Sequence, residues 1–366
     1  MTNDLRARLA DEIRLAGPMD VATFMTLAMA HRHSGYYATR DPLGRAGDFI
    51  TAPEISQMFG ELAGAAIAQA WIDLGAPASV HLVELGPGRG TLMADALRAT
   101  RNLAGFHAAI RLHLVETGPV LRELQRERIR HPSRHWHEHV ESLPDDAPIL
   151  FIANELFDVL PVRQFVMAGD GLHERRIGVD DDGRLGFVLD PRCSRPGESD
   201  GMAEGSILEV SPAREALMTG LARRLGHQRG TGFIIDYGDL DLDGADTLQA
   251  VRAHRRVAPL DTPGEADLSS HVAFRPLLDA ARREGVTGFG PLTQGEWLRR
   301  IGIETRMQRL ASGGAGDGDD DGLRARLLGE MQRLVADDQM GTLFKVVAMT
   351  THAGPPAGFS GKERWS

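Results

Sequence analysis

The sequence predicts an α/β protein with a Rossmann-like, doubly wound sheet. Short apolar runs, beginning with V-H-L-V-E-L at 80–85, alternate with amphipathic stretches such as T-L-M-A-D-A-L-R at 91–98. This alternation is typical of parallel strands joined by crossover helices. Three glycines separate the first run from its helix, as in sheets that bind an adenosine ligand at their first turn.

Further apolar runs continue the predicted sheet at 111–116, 149–153, 232–238 and 342–350. The stretch 163–192 differs, because three short apolar runs there are separated by turns rich in glycine and aspartate. That pattern is typical of hairpins. We therefore expect an antiparallel β insertion over about 162–230.

The N-terminal part is predicted to be helical. Residues 3–16, 20–31 and 55–73 have helical periodicity, with a loop-rich stretch before the third helix. We expect residues 1–75 to form a helical lid and residues 76–366 to form the main domain. Within that domain, the glycine- and aspartate-rich stretch 312–322 is expected to be a mobile loop.

Composition limits the possible functions. The chain has 366 residues, with 42% hydrophobic and 25% charged, which suits one or two globular domains. Its net charge of −10 argues against nucleic-acid binding, and no apolar run reaches the about 18 residues of a membrane span. The N-terminus carries Asp4, Asp11 and Glu12 and lacks an apolar core, so it resembles neither a signal nor a transit peptide. The single cysteine, Cys193, favours a reducing compartment. We expect a cytoplasmic protein without membrane insertion; the sequence does not indicate its oligomeric state.

The glycine turn, V-E-L-G-P-G-R-G at 83–90, indicates which ligand it binds. Gly86, Gly88 and Gly90 allow the backbone to approach a ligand closely. The dinucleotide pattern requires glycine where this chain has Thr91, and the phosphate-binding Walker pattern requires a lysine that is missing here. A glutamate two residues before the first glycine, Glu84, is instead typical of class I methyltransferases that use S-adenosyl-L-methionine (SAM). The alternative is a glycine turn with a purely structural role.

Glu116 is the second candidate for cofactor binding. It ends the next predicted strand, where a carboxylate can accept hydrogen bonds from both hydroxyls of a ribose. It lies further from the glycines than usual, a difference that a longer helix and loop would accommodate. We expect it to bind the ribose of SAM.

The motif A-N-E-L-F-D at 153–158 follows another predicted strand. Ligands of open α/β sheets lie at the carboxyl ends of strands, so Asn154, Glu155 and Asp158 are candidates for the reactive end of the cofactor. Paired carboxylates suit a guanidinium, since they match its planar donors. Alternatively, Asn154 and Asp158 only cap the following turn.

Seven motifs together resemble the MidA family of class I SAM-dependent methyltransferases, over almost the whole chain. The most specific is G-D-F-I-T-A-P-E-I-S-Q-M-F-G at 47–60; the others are G-Y-Y at 35–37, V-E-L-G-P-G-R-G-T-L-M at 83–93, A-N-E-L-F-D-V-L-P at 153–161, I-D-Y-G at 235–238, D-L-S-S-H-V-A-F at 267–274 and L-F-K-V at 343–346. The resemblance implies a seven-stranded methyltransferase core. It further implies a protein arginine as methyl acceptor, in a subunit of respiratory complex I or a similar partner.

The resemblance also implies site residues. Gly47, Asp48 and Thr51 would close over SAM, and His271 would line the substrate pocket with Glu155 and Asp158. Position alone leaves His271 a second interpretation, as the cap of a helix over 271–284.

Other sequence patterns offer weaker alternatives. His135, His137 and His139 would share one face of a strand, but no further metal ligand is apparent, and we expect no metal site. D-G-D-D-D-G at 317–322 resembles the start of a calcium loop, but Leu328 stands where that loop requires glutamate. A nicotinamide-dependent oxidoreductase and a non-catalytic assembly chaperone remain alternative functions.

Overall fold

The structure is a computed structural model that describes residues 5–30, 35–36, 51–169, 171–195, 201–313 and 320–365. Contacts divide the chain into two compact units. The first unit comprises Met1–Phe49, Phe157–Ala216 and Asp241–Val272; the second comprises Ile50–Leu156, Leu217–Leu240 and Ala273–Ser366. Two predicted cofactor residues, Gly47 and Asp48, lie outside the described residues, as do positions 314–319 of the predicted acidic loop.

The strands of the described residues are numbered in chain order: β1 (Met19–Asp20), β2 (Val80–Leu85), β3 (Ile110–Val115), β4 (Arg134–His137), β5 (Ile149–Asn154), β6 (Arg163–Ala168), β7 (Gly171–Val179), β8 (Leu185–Arg195), β9 (Ile207–Val210), β10 (Gly230–Asp239), β11 (Gln249–Arg252), β12 (Arg255–Val257), β13 (Asp267–Ser269), β14 (Val272–Ala273), β15 (Thr287–Thr293) and β16 (Phe344–Thr350). The α-helices span Leu5–Ala16, Val21–Ala30, Ala52–Ile55, Gln57–Asp73, Thr91–Thr100, Phe106–Ala109, Pro119–Arg128, Pro212–Gln228, Phe274–Arg283, Gln294–Arg300, Ile303–Gly313, Asp320–Val335 and Met340–Leu343.

The second unit contains the predicted sheet, with seven strands side by side in the order β15-β16-β10-β5-β2-β3-β4. In this order, neighbouring strands pair in parallel from β10 through β5, β2 and β3 to β4. β16 runs antiparallel to both β10 and β15. Chain order reverses between β2 and β5, so the carboxyl ends of these two strands flank the usual ligand position of a doubly wound sheet. The predicted α/β class and seven-stranded core are confirmed.

Residue composition explains why this sheet is central. Every residue of β2 is buried, as are five of the six residues of β5, which is expected where helices cover both faces. On one face, the helix Gln57–Asp73 packs closely on Thr91–Thr100. A Cβ atom at Gly64 would lie 2.5 Å from the Cα atom of Ala96, so the glycine permits this close approach.

The first unit is mainly antiparallel. Its five-stranded sheet has the order β1-β7-β6-β9, with β8 pairing along β7, and a second sheet has the order β12-β11-β13. The strands β6 to β8 confirm the antiparallel insertion predicted over 163–192. Its core includes Phe24 and Met25 of the helix Val21–Ala30, together with Val162 and Ile177.

The contact-defined units have other boundaries than the domains predicted from sequence. Residues 1–75, predicted as one lid segment, divide between the units after Phe49, and the insertion predicted over about 162–230 divides after Ala216. The lid role itself stays a prediction. Among the described residues, none of the helices has the length and apolar character to cross a membrane.

Candidate functional site

The glycine loop forms a tight turn between β2 and the helix Thr91–Thr100. The φ angles of Gly86, Gly88 and Gly90 are 62°, 52° and 77°, a region that glycine adopts without strain. The N–H of Gly90 donates to the carbonyl of Pro87 at 2.8 Å, and Gly90 is the N-cap of the helix. The first N–H groups of the helix therefore lie next to the loop, where they can donate hydrogen bonds to acceptor groups of a ligand.

Glu84, the last residue but one of β2, is only 3% exposed. Within the described part of the chain, its Oε2 atom has no hydrogen-bond partner. Burial, with a contribution from the negative charge of Glu116, raises the pKa of Glu84 well above its usual range. A buried carboxylate oxygen without a donor is costly, so a cationic ligand would stabilise it. This arrangement fits the positively charged end of SAM.

Glu116 follows β3 and is 8% exposed. Its Oε1 atom accepts the N–H of Gly118 at 2.7 Å, and its Oε2 atom accepts the amide of Gln125 at 3.2 Å. Burial raises the pKa of Glu116, and these hydrogen bonds oppose that change. The carboxylate is thus held in one orientation, with acceptor atoms suited to ribose hydroxyls.

Gln125 was not identified from the sequence. It lies in the helix Pro119–Arg128 and is fully buried. Besides Glu116, its side-chain N–H₂ group donates to the carbonyl of Gly88 at 2.7 Å, and its Oε1 atom accepts the indole N–H of Trp136 at 2.8 Å. A glutamine within R-E-L-Q-R-E-R gives no sequence signal of such a role.

The segment that begins at Thr51 lies against this loop through Glu54. The Thr51 carbonyl accepts the N–H of Glu54 at 2.9 Å, and the Thr51 side chain makes no capping hydrogen bond to the short helix Ala52–Ile55. Glu54 accepts hydrogen bonds from the hydroxyl of Thr91 and from Arg128. The sequence motif ending in A-P-E contained Glu54, but its partners could be seen only in the fold.

Asn154 and Glu155 lie at the carboxyl end of β5. Glu155 has φ of 51°, an uncommon value for a residue other than glycine. Its Oε1 atom accepts the N–H of Ala52 at 3.2 Å and the amide of Asn154 at 3.0 Å. Among the described residues, the Oδ1 atom of Asn154 is buried without a partner. Strained backbone of this kind often marks a functional site.

Asp236 of β10 stabilises the segment that follows Glu155. It is fully buried, its Oδ2 atom accepts the N–H of Leu156 at 3.2 Å, and its Oδ1 atom accepts the N–H of Tyr237 at 3.0 Å. Its carboxylate therefore fixes the backbone that follows Glu155.

Asp158 and His271 belong to the first unit, where a buried arginine connects their backbones. Arg214 donates from Nη2 to the carbonyl of Asp158 at 3.1 Å and from Nη1 to the carbonyl of His271 at 2.8 Å. It also donates to the carbonyl and hydroxyl of Ser270. No sequence pattern indicates this role for Arg214.

The position of His271 excludes one of its two interpretations. The helix that follows begins at Phe274 and has Ala273 as its N-cap, so the capping role for His271 is wrong. Instead, the backbone N–H of His271 donates to the hydroxyl of Thr247 at 2.9 Å. A role in the substrate pocket stays a prediction.

The histidine-rich stretch has partners that the sequence did not indicate. His137 of β4 contacts His113 of β3, which in turn contacts His81 of β2, at 2.9 Å and 3.0 Å between ring nitrogens. In the described part of the chain, no group of three or more histidine, cysteine, aspartate and glutamate side chains could hold a metal ion.

Comparison with known proteins identifies the family of this chain. The model of Methyltransf_28, a family of SAM-dependent methyltransferases, matches residues 62–292. Protein arginine methyltransferase NDUFAF7, mitochondrial, of Danio rerio is 34% identical over 94% of this chain and 86% of its own length. The Bos taurus protein of that name is 34% identical over 93% and 82%, and the Caenorhabditis elegans homolog is 31% identical over 99% and 92%.

Solved structures add evidence on the cofactor. A Burkholderia thailandensis protein with bound S-adenosyl-homocysteine (SAH) has a TM-score of 0.86 and 26% identity, covering 99% of this chain and 95% of its own. These likenesses favour methyl transfer over the nicotinamide-dependent alternative. This chain belongs to the Methyltransf_28 family and is a methyltransferase that uses SAM as its cofactor.

Proposed function

We propose that this methyltransferase modifies the side chain of an arginine in a partner protein. The observation that supports this acceptor most strongly is the likeness, over nearly the whole chain, to relatives that are named protein arginine methyltransferases. The proposed partner, a subunit of respiratory complex I or a similar protein, is carried over from the family resemblance alone. The proposed compartment is the cytoplasm of a bacterium, whereas the relatives are named mitochondrial.

For the cofactor, we propose that Glu84 binds the cationic end of SAM and that Glu116 binds its ribose. The partnerless Oε2 atom of Glu84 supports the first role, and the fixed carboxylate of Glu116 supports the second. Gly86, Gly88 and Gly90 provide the close backbone approach. Thr51 is proposed to close over the cofactor together with Gly47 and Asp48, which are carried over from the family resemblance alone.

For the acceptor, we propose that Glu155 orients the guanidinium. Its carboxylate follows the carboxyl end of β5, and its uncommon backbone conformation is held by hydrogen bonds. Asn154, Asp158 and His271 are proposed to assist on the basis of their sequence motifs. SAM supplies an electrophilic methyl group, so the protein has to align one acceptor nitrogen and exclude water from it.

The proposal can be tested with purified protein, methyl-labelled SAM and a proteome from cells that lack this protein. Mass spectrometry should find methyl-arginine in one or a few proteins. Glu155→Gln should lower kcat/KM by about 100-fold through loss of alignment, with SAH binding retained. Glu127→Gln, a change at an exposed helical position, is the matched control and should leave the rate unchanged.

Two results would contradict the proposal. Label on a residue other than arginine would refute the acceptor, and an unchanged rate for Glu155→Gln would refute the assigned role of Glu155. If SAH binds but no protein gains label under any condition, the assembly-chaperone alternative would be favoured instead.

A further inference from the structure

We infer that Gln125 is a positioning residue that fixes the glycine loop and the ribose-binding carboxylate relative to each other, with its own orientation set by Trp136. The inference rests on the proposed role of Glu116. It adds Gln125 and Trp136 to the cofactor site as residues that act through Gly88 and Glu116 and not through contact with the cofactor.

Chemistry permits one orientation of the Gln125 amide. The indole N–H of Trp136 can only donate, so the amide group that faces it at 2.8 Å must be the oxygen. The N–H₂ group then faces two acceptors, the Gly88 carbonyl at 2.7 Å and the Glu116 carboxylate at 3.2 Å. A rotated amide would place oxygen against oxygen at both positions.

The hydrogen bonds of Gln125 connect two elements that the cofactor must meet at once. Gly88 lies in the loop after β2, whereas Glu116 follows β3. Gln125 is 0% exposed, so water does not replace a lost hydrogen bond without rearrangement. Gly90 also packs here, since a Cβ atom at that position would lie 3.4 Å from Cγ of Gln125.

Two arginine side chains contact the ring of Trp136. The guanidinium carbons of Arg126 and Arg134 lie 4.9 Å and 5.9 Å from the centre of its ring. Cation–π contacts of this kind favour one orientation of the indole and therefore of its N–H. A chain of contacts thus runs from the protein surface through Trp136 and Gln125 to the two cofactor-binding segments.

Gln125 also affects the charge of Glu116. Burial raises the pKa of Glu116, while the hydrogen bonds from Gly118 and Gln125 lower it. The ionised carboxylate is the form that accepts hydrogen bonds from two hydroxyls. Removal of the Gln125 amide should therefore let Glu116 take up a proton at a higher pH. Two other charged groups act near Glu116: Arg122 lowers the pKa of Glu116, and Glu84 interacts with Glu116 through its charge.

Calorimetric binding of SAH to the full chain tests the inference without measuring activity. Gln125→Met keeps the length of the side chain and removes its hydrogen bonds, and should weaken SAH binding by about tenfold. The pH below which binding weakens should also move upward, because Glu116 loses a donor. Glu84 titrates in both proteins, so the difference between the two pH profiles reports on Glu116.

A second variant keeps the test valid if Gln125→Met folds poorly. Trp136→Phe removes the donor that orients the amide and should by itself weaken SAH binding about threefold. Where Gln125→Met does fold, the addition of Trp136→Phe should weaken SAH binding no further. The matched controls are Gln69→Met, at an exposed helical glutamine, and Trp365→Phe, whose indole N–H donates to Asp279. Both controls should bind SAH as the wild type does.

The outcomes separate this inference from the proposed function. If Glu116→Gln binds SAH normally, the proposed role of Glu116 is wrong. If Glu116→Gln weakens binding but Gln125→Met does not, the positioning role is wrong. If Gln125→Met weakens binding with an unshifted pH profile, or if the two substitutions act additively, Gln125 has only a structural role and the inference is overturned.

Discussion

The row of three histidines should make the stability of the protein fall steeply in weak acid. His81, His113 and His137 lie on adjacent parallel strands and are linked through their ring nitrogens. The row ends on Asp146, whose Oδ1 atom lies 2.9 Å from Nε2 of His81, and on Ser142, whose hydroxyl lies 2.9 Å from Nδ1 of His137. His113, in the middle, has imidazoles on both sides and is 4% exposed.

The expected change in the free energy of unfolding follows from the pKa of the central histidine, His113. Burial, followed by the neighbouring imidazoles His81 and His137, lowers the pKa of His113 to about 3. In the unfolded chain a histidine has a pKa of about 6.5. As pH falls below that value, the unfolded chain therefore binds a proton that the folded protein does not, which favours unfolding. Between pH 7.5 and pH 5.5, this one group should remove about 1.4 kcal/mol from the free energy of unfolding.

The assay is urea unfolding followed by circular dichroism at both pH values. His113→Gln keeps a donor and an acceptor but cannot titrate, so its loss of stability between the two pH values should be smaller by about 1.4 kcal/mol. His139→Gln, at an exposed position of the same stretch, is the matched control and should behave as the wild type. Equal losses for wild type and His113→Gln would refute the argument, whatever their absolute stabilities.

Two more predictions concern the ligand sites. Burial and the charge of Glu116 raise the pKa of Glu84, so binding of the cationic cofactor SAM should favour the Glu84 carboxylate and release protons. The enthalpy of SAM binding should therefore depend on the ionisation enthalpy of the buffer. Glu84→Gln should remove that dependence and weaken SAM binding by more than about tenfold, and a buffer-independent wild type would contradict the role of Glu84. Arg214→Lys keeps the positive charge but cannot span the carbonyls of Asp158 and His271, so kcat should fall by about 100-fold while the SAH affinity measured by calorimetry stays unchanged. Free guanidinium should partly restore the kcat of Arg214→Ala. An equal loss of SAH binding would indicate general misfolding.

The sequence was sufficient for features that are local along the chain. β2 begins and ends at the residues predicted, because a mainly apolar run followed directly by closely spaced glycines has few alternatives. Glu84 and Glu116 could also be selected as candidates, since each occupies a fixed position relative to a strand end; their roles stay predictions. The antiparallel insertion could be predicted from turns that repeat at short intervals.

Features that depend on tertiary contacts could not be predicted in this way. Gln125 and Arg214 lie in helices, where a polar side chain is ordinarily exposed, and only packing shows that they are buried. The histidine row shows the same limit. The sequence placed His135, His137 and His139 together, whereas His137 finds its partner on the neighbouring strand, 24 residues away in sequence.

The two buried glutamates proposed for the cofactor site have different surroundings, which suit them to different tasks. Glu116 already receives hydrogen bonds from Gly118 and Gln125, so its carboxyl group is held in one orientation before a ligand arrives, and these donors oppose the rise in its pKa that burial causes. Neutral hydroxyls then suffice as further donors. Glu84 is buried more completely, and in the described structure its Oε2 atom lacks a donor. Its carboxylate is therefore stabilised most by a ligand that brings positive charge. In the role proposed for Glu84, the same burial that makes its carboxylate costly in the free protein is therefore expected to favour a ligand group with positive charge over a neutral one.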